Sequence, residues 1–422
     1  MSEIIKDRQY YKFCIYGFLR NLRFFEAFLI IYLIDKNFSY TTIGILYAVR
    51  EISANVLEIP SGITADVLGR KKTLATSFLA YIISFLIFYL FHSFSIYILG
   101  FVLYGVGEAF RSGTHKGMIA DYLQSHSRKD QMIEYYGHTR SWSQYGLALS
   151  SLLAGLIVFY TENYQMIFLF STIPYVFNFF LILSYPAFLD KSLTRKKIRK
   201  RQQLNTVLRS SLSTLTDRKV LNLLNISALH TAYLKAMKDY IQPLILALVV
   251  SIPYLSAYSK EQRSAVFIGL IYCFIFILTS RASVYAGKFS KSKVKNIPEF
   301  TLFCGLIAGV VSGLFYFFHI PLGAILFFIL IYLIENLRKP VLTGFISKNV
   351  DNSILTSVLS VQSQMKTVIT ALIALAFGVT ADKTGIAMAL IIISSGLILF
   401  SIILGIIGKK KKADLRLVGA LL

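Results

Sequence analysis

The chain has 422 residues, of which 55% are hydrophobic and 15% are charged, and its mean hydropathy is +0.62. This composition excludes an ordinary water-soluble globular protein and indicates an integral membrane protein. The formal net charge of +23 does not by itself indicate a nucleic-acid partner, because basic residues also accumulate in the loops of membrane proteins.

Twelve segments are long and apolar enough to cross a bilayer as helices, for which about 20 residues suffice. In chain order they are predicted at 13–34, 41–64, 73–92, 96–120, 135–158, 165–186, 219–250, 264–285, 297–318, 321–345, 354–380 and 385–408. No small-residue cleavage site precedes the first span, which contains Arg20, Arg23 and Glu26, so we do not interpret it as a removable signal peptide. The predicted fold class is an all-α integral membrane protein with twelve transmembrane helices.

Basic residues separate cleanly between alternate loops. One set of loops and tails, which includes both termini, holds 28 Lys and Arg residues, and the other set holds 4. Because Lys and Arg accumulate in cytoplasmic loops, we expect both termini to be cytoplasmic and the protein to reside in the cytoplasmic membrane, either inner or plasma. Attraction to anionic lipid headgroups explains the positive charge without nucleic acid.

The longest polar interruption falls near the middle of the chain and separates six spans from six. It predicts an N-terminal six-helix bundle at 1–189, a basic cytoplasmic linker at 190–218, and a C-terminal six-helix bundle with a basic tail at 219–422. Within the linker, the stretch RKKIRKR (195–201) is expected to anchor at the membrane interface.

Eighteen charged residues fall at membrane depth, where each costs at least ~2.5–3.5 kcal/mol at the bilayer centre. The basic ones are Arg20, Arg23, Arg50, Arg111, Lys116, Arg140, Lys235, Lys238, Arg281, Arg338, Lys339 and Lys366, and the acidic ones are Glu26, Glu51, Glu58, Glu108, Asp239 and Glu335. Spans 3, 6, 9 and 12 carry none of them in their cores. This distribution predicts four three-helix units around a central polar cavity, as in secondary transporters built from internal repeats.

Helical geometry supports a polar cavity. At 100° per residue, Lys235, Lys238 and Asp239 share one face of span 7. The pattern Glu-x-x-Arg occurs at 108–111 and again at 335–338, at the same depth of the fourth helix of each half. This repetition predicts pseudo-twofold symmetry between the halves, with both pairs facing the cavity near the midplane.

The most specific short motif is GITADVLGRKK, at residues 62–72. It resembles the loop between the second and third helices of the major facilitator superfamily (MFS), which reads roughly G-x-L-A-D-R-x-G-R-K. The matching residues are Gly62, Ala65, Asp66, Gly69, Arg70 and Lys71. Thr64 and Val67 depart from the pattern, so the inner arginine of the family's charge relay is missing. The resemblance implies two pseudo-symmetric six-helix bundles around a central cavity, and transport by alternating access.

The motif also has a direct physical interpretation. Its glycines permit a tight turn, Asp66 can cap a helix or meet a helix N-terminus of the other half, and Arg70 can pair with an acid such as Asp121. We predict a gating group of Gly62, Asp66, Gly69, Arg70 and Asp121 that stabilises the state closed to the cytoplasm and does not touch the substrate.

Basic residues exceed acidic residues by six within the spans, which favours an anionic or zwitterionic solute because low-dielectric walls focus the potential inside a cleft. Arginine is well suited to carboxylate or phosphate because its planar guanidinium forms two parallel hydrogen bonds. The predicted substrate-binding residues are Arg23, Arg50, Arg111, Lys235, Lys238 and Arg338. For each of them, the alternative is a buried salt bridge that only joins helices.

Acidic residues at membrane depth are the candidates for proton coupling, because burial makes a carboxylate easier to protonate unless a cation opposes it. These residues are Glu26, Glu51, Glu108, Asp239 and Glu335. His115, His138 and His230 can titrate as well, although a histidine within a span more often forms a hydrogen bond between helices. The expected coupling ion is H+.

The function predicted from the sequence is secondary active transport of a small organic solute by a monomer in a lipid bilayer. A proton-coupled multidrug exporter is the main alternative, but span 5 lacks the Gly-Pro pattern expected of it, since 143–160 contains no proline. A receptor or an enzyme is less supported, because there is no HExxH, P-loop or nucleophile with a base. The cysteines at 14, 273 and 304 form no C-x-x-C, so neither a metal nor another cofactor is predicted.

Overall fold

The computed structural model describes residues 6–112, 114–128, 131–190, 218–252, 257–289, 296–349 and 355–420. Helices account for nearly all of this described part, and no strand occurs in it. Eight of the helical stretches found there are long and apolar enough to cross a membrane. The all-α class expected from the composition is confirmed. The predicted linker lies almost wholly outside the described residues.

Among the described residues, the first half of the chain forms eight α-helices. They are α1 (Arg8–Arg20), α2 (Leu29–Asp35), α3 (Tyr40–Leu68), α4 (Arg70–Leu90), α5 (Phe94–Arg111), α6 (Thr114–Ser125), α7 (Met132–Thr161) and α8 (Met166–Leu183). Helix α1 begins where the Asp7 side chain accepts a hydrogen bond from Tyr10 N at 2.9 Å. Short 3-10 turns lie at Phe24–Ala27 and Ala187–Asp190.

The second half adds six helices among the described residues. They are α9 (Arg218–Met237), α10 (Ile241–Val250), α11 (Lys260–Phe289), α12 (Ile297–Phe317), α13 (Pro321–Asn349) and α14 (Leu355–Ala420). Helix α14 contains two of the predicted spans. Gly385 separates them with φ of 82°, a conformation that only glycine adopts easily. All twelve predicted spans therefore correspond to described helical segments.

Three predicted spans are broken helices, which corrects their prediction as continuous. The span at 13–34 is interrupted between α1 and α2, the span at 96–120 between α5 and α6, and the span at 219–250 by the 3-10 turn Lys238–Tyr240. Each break lies beside charged residues. Non-helical backbone at membrane depth is tolerated where it is buried in protein or lines an aqueous cavity, so the breaks mark candidate sites.

Tyrosines from neighbouring helices satisfy backbone carbonyls that two of the breaks release. The Tyr175 hydroxyl donates to the carbonyl of Arg20 at 3.0 Å, and the Tyr332 hydroxyl donates to the carbonyl of Lys238 at 2.6 Å. Asn21 Nδ2 donates to the carbonyl of Gly17 at 2.8 Å. These contacts stabilise the interruptions, because an unpaired carbonyl in an apolar environment is costly.

Carboxylates accept hydrogen bonds at the starts of α3 and α4. At the start of α3, the Asp382 side chain accepts hydrogen bonds from Tyr40 N and Thr41 N, both at 2.8 Å. After its end, Gly69 turns the chain with φ of 96°, and the Asp190 side chain accepts from Lys71 N at 2.9 Å. A carboxylate at a helix N-terminus satisfies N–H groups that have no partner within the helix.

The chain divides into two compact units by its internal contacts. Unit 1 comprises Met1–Phe38, Ile45–Lys196 and Ile245–Ile277, and unit 2 comprises Ser39–Gly44, Lys197–Leu244 and Leu278–Leu422. The predicted division into bundles at 1–189 and 219–422 follows chain order instead, and it stays a prediction.

The core of unit 1 is rich in aromatic rings. The rings of Phe85 and Tyr175 lie 5.0 Å apart, and those of Tyr81 and Tyr104 lie 5.1 Å apart. Such rings combine a large apolar area with a preferred edge-to-face geometry. Many apolar side chains, including Phe177 at 62%, remain exposed, as expected for helices that face lipid.

Candidate functional site

Glu108 in α5 is the centre of an ion-pair cluster in unit 1. Arg111 Nη2 lies 2.7 Å from Glu108 Oε2, and Arg23 Nη2 lies 3.2 Å from Glu108 Oε1. The Tyr81 hydroxyl donates to Glu108 Oε1 at 2.6 Å. The break after α1 places Arg23 beside α5, and the i,i+3 spacing places Arg111 over Glu108. One carboxylate therefore serves two of the predicted substrate-binding arginines.

A cavity of about 280 Å³ opens beside this cluster, between α1, the α5–α6 break and α7. It is lined by Phe13, Tyr16, Gly17, Arg20, Asn21, Arg111, His115, Lys116, Thr139, Arg140, Ser143, Gln144 and Leu147. Four of these residues are Lys or Arg, and none of these described residues is an acid. The cavity is therefore electropositive and rich in hydrogen-bond donors.

Two of the lining arginines form no ion pair within the described part of the chain. Arg20 ends α1, and its Nε is buried without a hydrogen-bond partner. Arg140 lies on α7 with an exposed side chain. Arg111 also lines the cavity, and it shares the Glu108 carboxylate with Arg23. The two arginines that have no carboxylate within ion-pair distance in this part of the chain thus come from two different helices.

His115 forms part of the cavity wall. Its ring stacks on Tyr16 with centroids 3.7 Å apart and an interplanar angle of 11°, and it meets Phe13 edge-on at 5.3 Å. Its Nε2 is buried and has no hydrogen-bond partner. The stacking fixes the ring, so its nitrogen has a defined position at the cavity.

In unit 2, Glu335 forms a different kind of cluster. His230 Nδ1 lies 2.8 Å from Glu335 Oε2, and the Thr231 hydroxyl donates to Glu335 Oε1 at 2.6 Å. The His230 ring is fully buried, and Glu335 is 3% exposed. His230 therefore joins α9 to α13, as expected for a histidine within a span.

Arg338 lies one turn after Glu335 in α13, but no ion pair joins the two side chains within the described part of the chain. Its guanidinium donates to Thr301 Oγ1 at 2.8 Å and to the carbonyls of Pro298 and Ile226. At 1% exposure, it joins α13 to α12 and α9. The two Glu-x-x-Arg patterns therefore have different surroundings, contrary to the predicted equivalence. A substrate-binding role for Arg338 stays a prediction.

The remaining predicted charges lie in separate places. In unit 1, Arg50 Nη2 is 3.3 Å from Glu51 Oε1, and its guanidinium lies over the Tyr47 ring at 4.6 Å. Glu26 is 3.9 Å from Arg23. In unit 2, Lys238 Nζ is 3.7 Å from Asp239 Oδ1 at the break before α10, one turn after the half-buried Lys235. Their functional roles stay predictions, as does that of the exposed His138.

The predicted ion pair of the gating group is present. Arg70 Nη1 lies 2.5 Å from Asp121 Oδ2, linking α4 to α6. Gly69 provides the turn before Arg70, and Gly62 lies in α3 with open space around its Cα. The side chain of Asp66 lies outside the described residues. Asp190, which the sequence analysis did not select, supplies the carboxylate at the start of α4.

Sequence reasoning missed three of the four basic residues that line the cavity, namely Arg20, Lys116 and Arg140. They were recognised as charges at membrane depth but not selected for binding. A signal for α7 was available, since Thr139, Arg140, Ser143, Gln144 and Leu147 follow helical spacing. This spacing places the polar groups on one face.

Broken membrane helices around an electropositive cavity are typical of one class of protein, the secondary transporters. Comparison with known sequences supports that class and shows the family. The profile described as Major Facilitator Superfamily matches residues 13–373, so the chain belongs to this superfamily. A Bacillus subtilis (strain 168) protein, described as an uncharacterized MFS-type transporter YxaM, is 22% identical over 395 residues, which cover 93% of this chain and 94% of that protein.

Solved structures share the fold. The nucleoside transporter NupG matches with a TM-score of 0.76 at 15% identity, covering 96% of this chain and all 100% of that one. A D-xylose-proton symporter matches with a TM-score of 0.66 at 13% identity, covering 94% and 95% of the two chains. The protein is thus an integral membrane transporter of the MFS fold, and not an enzyme.

Proposed function

We propose that this transporter moves a small anionic or zwitterionic organic solute by alternating access, and that the cavity between α1, α6 and α7 binds it. The observation that carries the proposal is the described lining of this cavity, which contains Arg20, Arg111, Lys116 and Arg140 and no acid. Arg20 and Arg140 have no carboxylate within ion-pair distance in the described part of the chain, so an anionic ligand is their natural complement.

The size of the electrostatic energy favours recognition of a charged solute. At an effective dielectric constant of about 20, an anion 4 Å from one guanidinium gains about 4 kcal/mol before the cost of desolvation. Asn21, Thr139, Ser143 and Gln144 add neutral polar groups to the same wall. After desolvation, a hydrogen bond between neutral groups contributes about 1 kcal/mol and one to a charged group about 1.5–3 kcal/mol, so the charged groups set the selectivity.

We propose that transport is coupled to protons and that Glu335 with His230 carries the proton. Glu108 is a weaker candidate because two arginines lie within ion-pair distance of it, and cations oppose protonation of a carboxylate. Among the described residues, the hydrogen-bond partners of Glu335 are the His230 ring and the Thr231 hydroxyl. Neither of these groups carries a permanent charge. Lys339, one turn later on α13, acts electrostatically on Glu335, but Glu108 is paired with two arginines, so protonation of Glu335 meets less opposition than protonation of Glu108.

We further propose that the protein functions as a monomer in the cytoplasmic membrane with both termini in the cytoplasm. The support is the count of 28 against 4 basic residues in alternate loops. Ser192→Cys or Ser210→Cys should then react with a membrane-impermeant thiol reagent only from the cytoplasmic side. Labelling from outside intact cells would contradict this topology.

Transport by purified protein in proteoliposomes tests the substrate class and the coupling together. Labelled organic anions and lipophilic cations are offered with and without an imposed pH gradient. Glu335→Gln should abolish acceleration by the gradient and retain exchange of substrate for substrate, because a proton carrier is needed only for coupling. The exposed Glu162 provides the control, and Glu162→Gln should behave as wild type. Gradient-driven movement of lipophilic cations, without movement of anions, would support the exporter instead.

A further inference from the structure

We infer that the solute bound in the cavity is a small dianion, either a dicarboxylate or a phosphate monoester. The inference rests on the proposed function, because it assumes that the cavity is the transport site. It depends on the number of arginines that lack a counter-ion, and not only on the sign of the charge.

Two guanidinium groups in the cavity wall have no carboxylate within ion-pair distance in the described part of the chain. Arg20 is at the end of α1 and Arg140 is on α7, so they reach the cavity from different helices. The third arginine, Arg111, is 2.7 Å from Glu108, which Arg23 also contacts. Lys116 interacts with other groups, so its charge is not counted with those of Arg20 and Arg140.

A monoanion would match only one of these two arginines. The other would remain without a carboxylate within ion-pair distance among the described residues. A dianion matches both, and arginine binds carboxylate or phosphate with two parallel hydrogen bonds. The buried, unpartnered Nε of Arg20 and Nε2 of His115 provide further positions for polar atoms of the ligand.

The volume of the cavity, about 280 Å³, admits a small organic dianion. A four-carbon dicarboxylate or a three-carbon phosphate ester is small enough to fit. A phosphate monoester carries a charge of about −1.5 to −2 at pH 7, so both chemistries present the same charge, and only binding measurements distinguish them.

Three ligands of nearly equal size and shape isolate the effect of charge: succinate, succinamate and succinamide, which carry two, one and no negative charges at pH 7. Their dissociation constants are measured on the purified full-length protein by titration calorimetry, with glycerol phosphate as the phosphate arm. We expect succinate or glycerol phosphate to bind at least about tenfold more tightly than succinamate. The tighter of the two identifies the chemistry of the second charge.

Variants connect the charge of the ligand to particular residues. Arg140→Gln should reduce the preference for the dianion over succinamate to less than about threefold, and Arg140→Lys should restore much of it. Arg20→Gln should have the same effect, but Arg140 is exposed, so its variants are the safer ones for folding. Arg281 is an exposed arginine outside the cavity lining, and Arg281→Gln should leave the preference unchanged.

The outcomes separate this inference from the proposed function. Equal affinity for succinate, glycerol phosphate and succinamate, with weaker binding of succinamide, would overturn the dianion and leave anion transport standing. Failure of all the anions to bind, or a preference for succinamide, would overturn both. A dianion preference that survives Arg140→Gln and Arg20→Gln would overturn the assignment to these arginines.

Discussion

Substitution of Gly305 tests the His230–Glu335 cluster through its packing. Gly305 lies in α12, and a Cβ built on it would overlap Nε2 and Cδ2 of the His230 ring. The ring is fully buried, so in Gly305→Ala it must move, and the 2.8 Å contact with Glu335 is lost or lengthened. Overpacking costs about 1–3 kcal/mol, and a broken buried hydrogen bond costs about 1–3 kcal/mol.

Alanine itself favours a helix over glycine by about 0.5–1 kcal/mol, so we expect a net loss of about 1–5 kcal/mol. Thermal unfolding in detergent should show a melting temperature several degrees lower, since 1 kcal/mol corresponds to about 2–4 °C in domains of 150–250 residues. Acceleration of uptake by a pH gradient should weaken as well.

The matched control is Gly396→Ala in α14, where a Cβ meets open space. This variant should be as stable as the wild type or slightly more stable. The account is contradicted if Gly305→Ala has the same melting temperature as Gly396→Ala and keeps its full response to the pH gradient. His230 then does not hold Glu335 in the way described, and the proposed proton site loses its structural basis.

Three other substitutions test particular contacts. Tyr332→Phe leaves the Lys238 carbonyl at the α9–α10 break without its 2.6 Å donor and should lower the free energy of unfolding by about 1 kcal/mol, measured by thermal denaturation. Asp382→Ala removes the acceptor of two N–H groups at the start of α3 and should cost about 1 kcal/mol, whereas the exposed Lys383→Ala should cost nothing measurable. Asp66→Asn should slow turnover and leave the dissociation constant unchanged, because it biases the access states; weakened binding with unchanged conformational exchange would contradict the gating role.

Hydropathy located the helices but not their interruptions. The charges of Asp382 and Lys383 separated the last two spans correctly, close to the break at Gly385. The break inside the span at 13–34 carries no proline or glycine at the interrupted positions, and it depends on the hydroxyl group of Tyr175, which comes from a helix distant in the sequence. A local pattern contains no information about such a partner. The break inside the span at 219–250 has a local signal in Pro243, because proline lacks an N–H and its ring clashes with the carbonyl four residues earlier, at Asp239. Tyr332 stabilises this break from a distant helix.

The candidate site was predictable where charge and position suggest a partner. The pair of Arg70 with Asp121 is predicted in this way and is present. The pair of Arg111 with Glu108, which is present as well, was only the alternative to a substrate-binding role for Arg111. Arg20 and Arg140 were passed over because the selection relied on repeated patterns within single helices, whereas the cavity joins residues from several helices. Arg338 matched the repeated pattern, yet its acceptors come from α9 and α12.

The electropositive character of the cavity is the central claim, and reaction rates of a cysteine placed in its wall test it without knowledge of the substrate. Gln144 lines the cavity, and Ser141 is exposed on the same helix. The variants Gln144→Cys and Ser141→Cys are made with Cys14, Cys273 and Cys304 replaced by serine. Each is labelled with methanethiosulfonates bearing either a sulfonate or a trimethylammonium group. The rate ratio of anionic to cationic reagent should be at least about tenfold higher at Gln144→Cys, because local potential concentrates the anion, and Arg20→Gln should reduce it. Equal ratios at the two positions, or faster reaction of the cationic reagent in the cavity, would contradict the account.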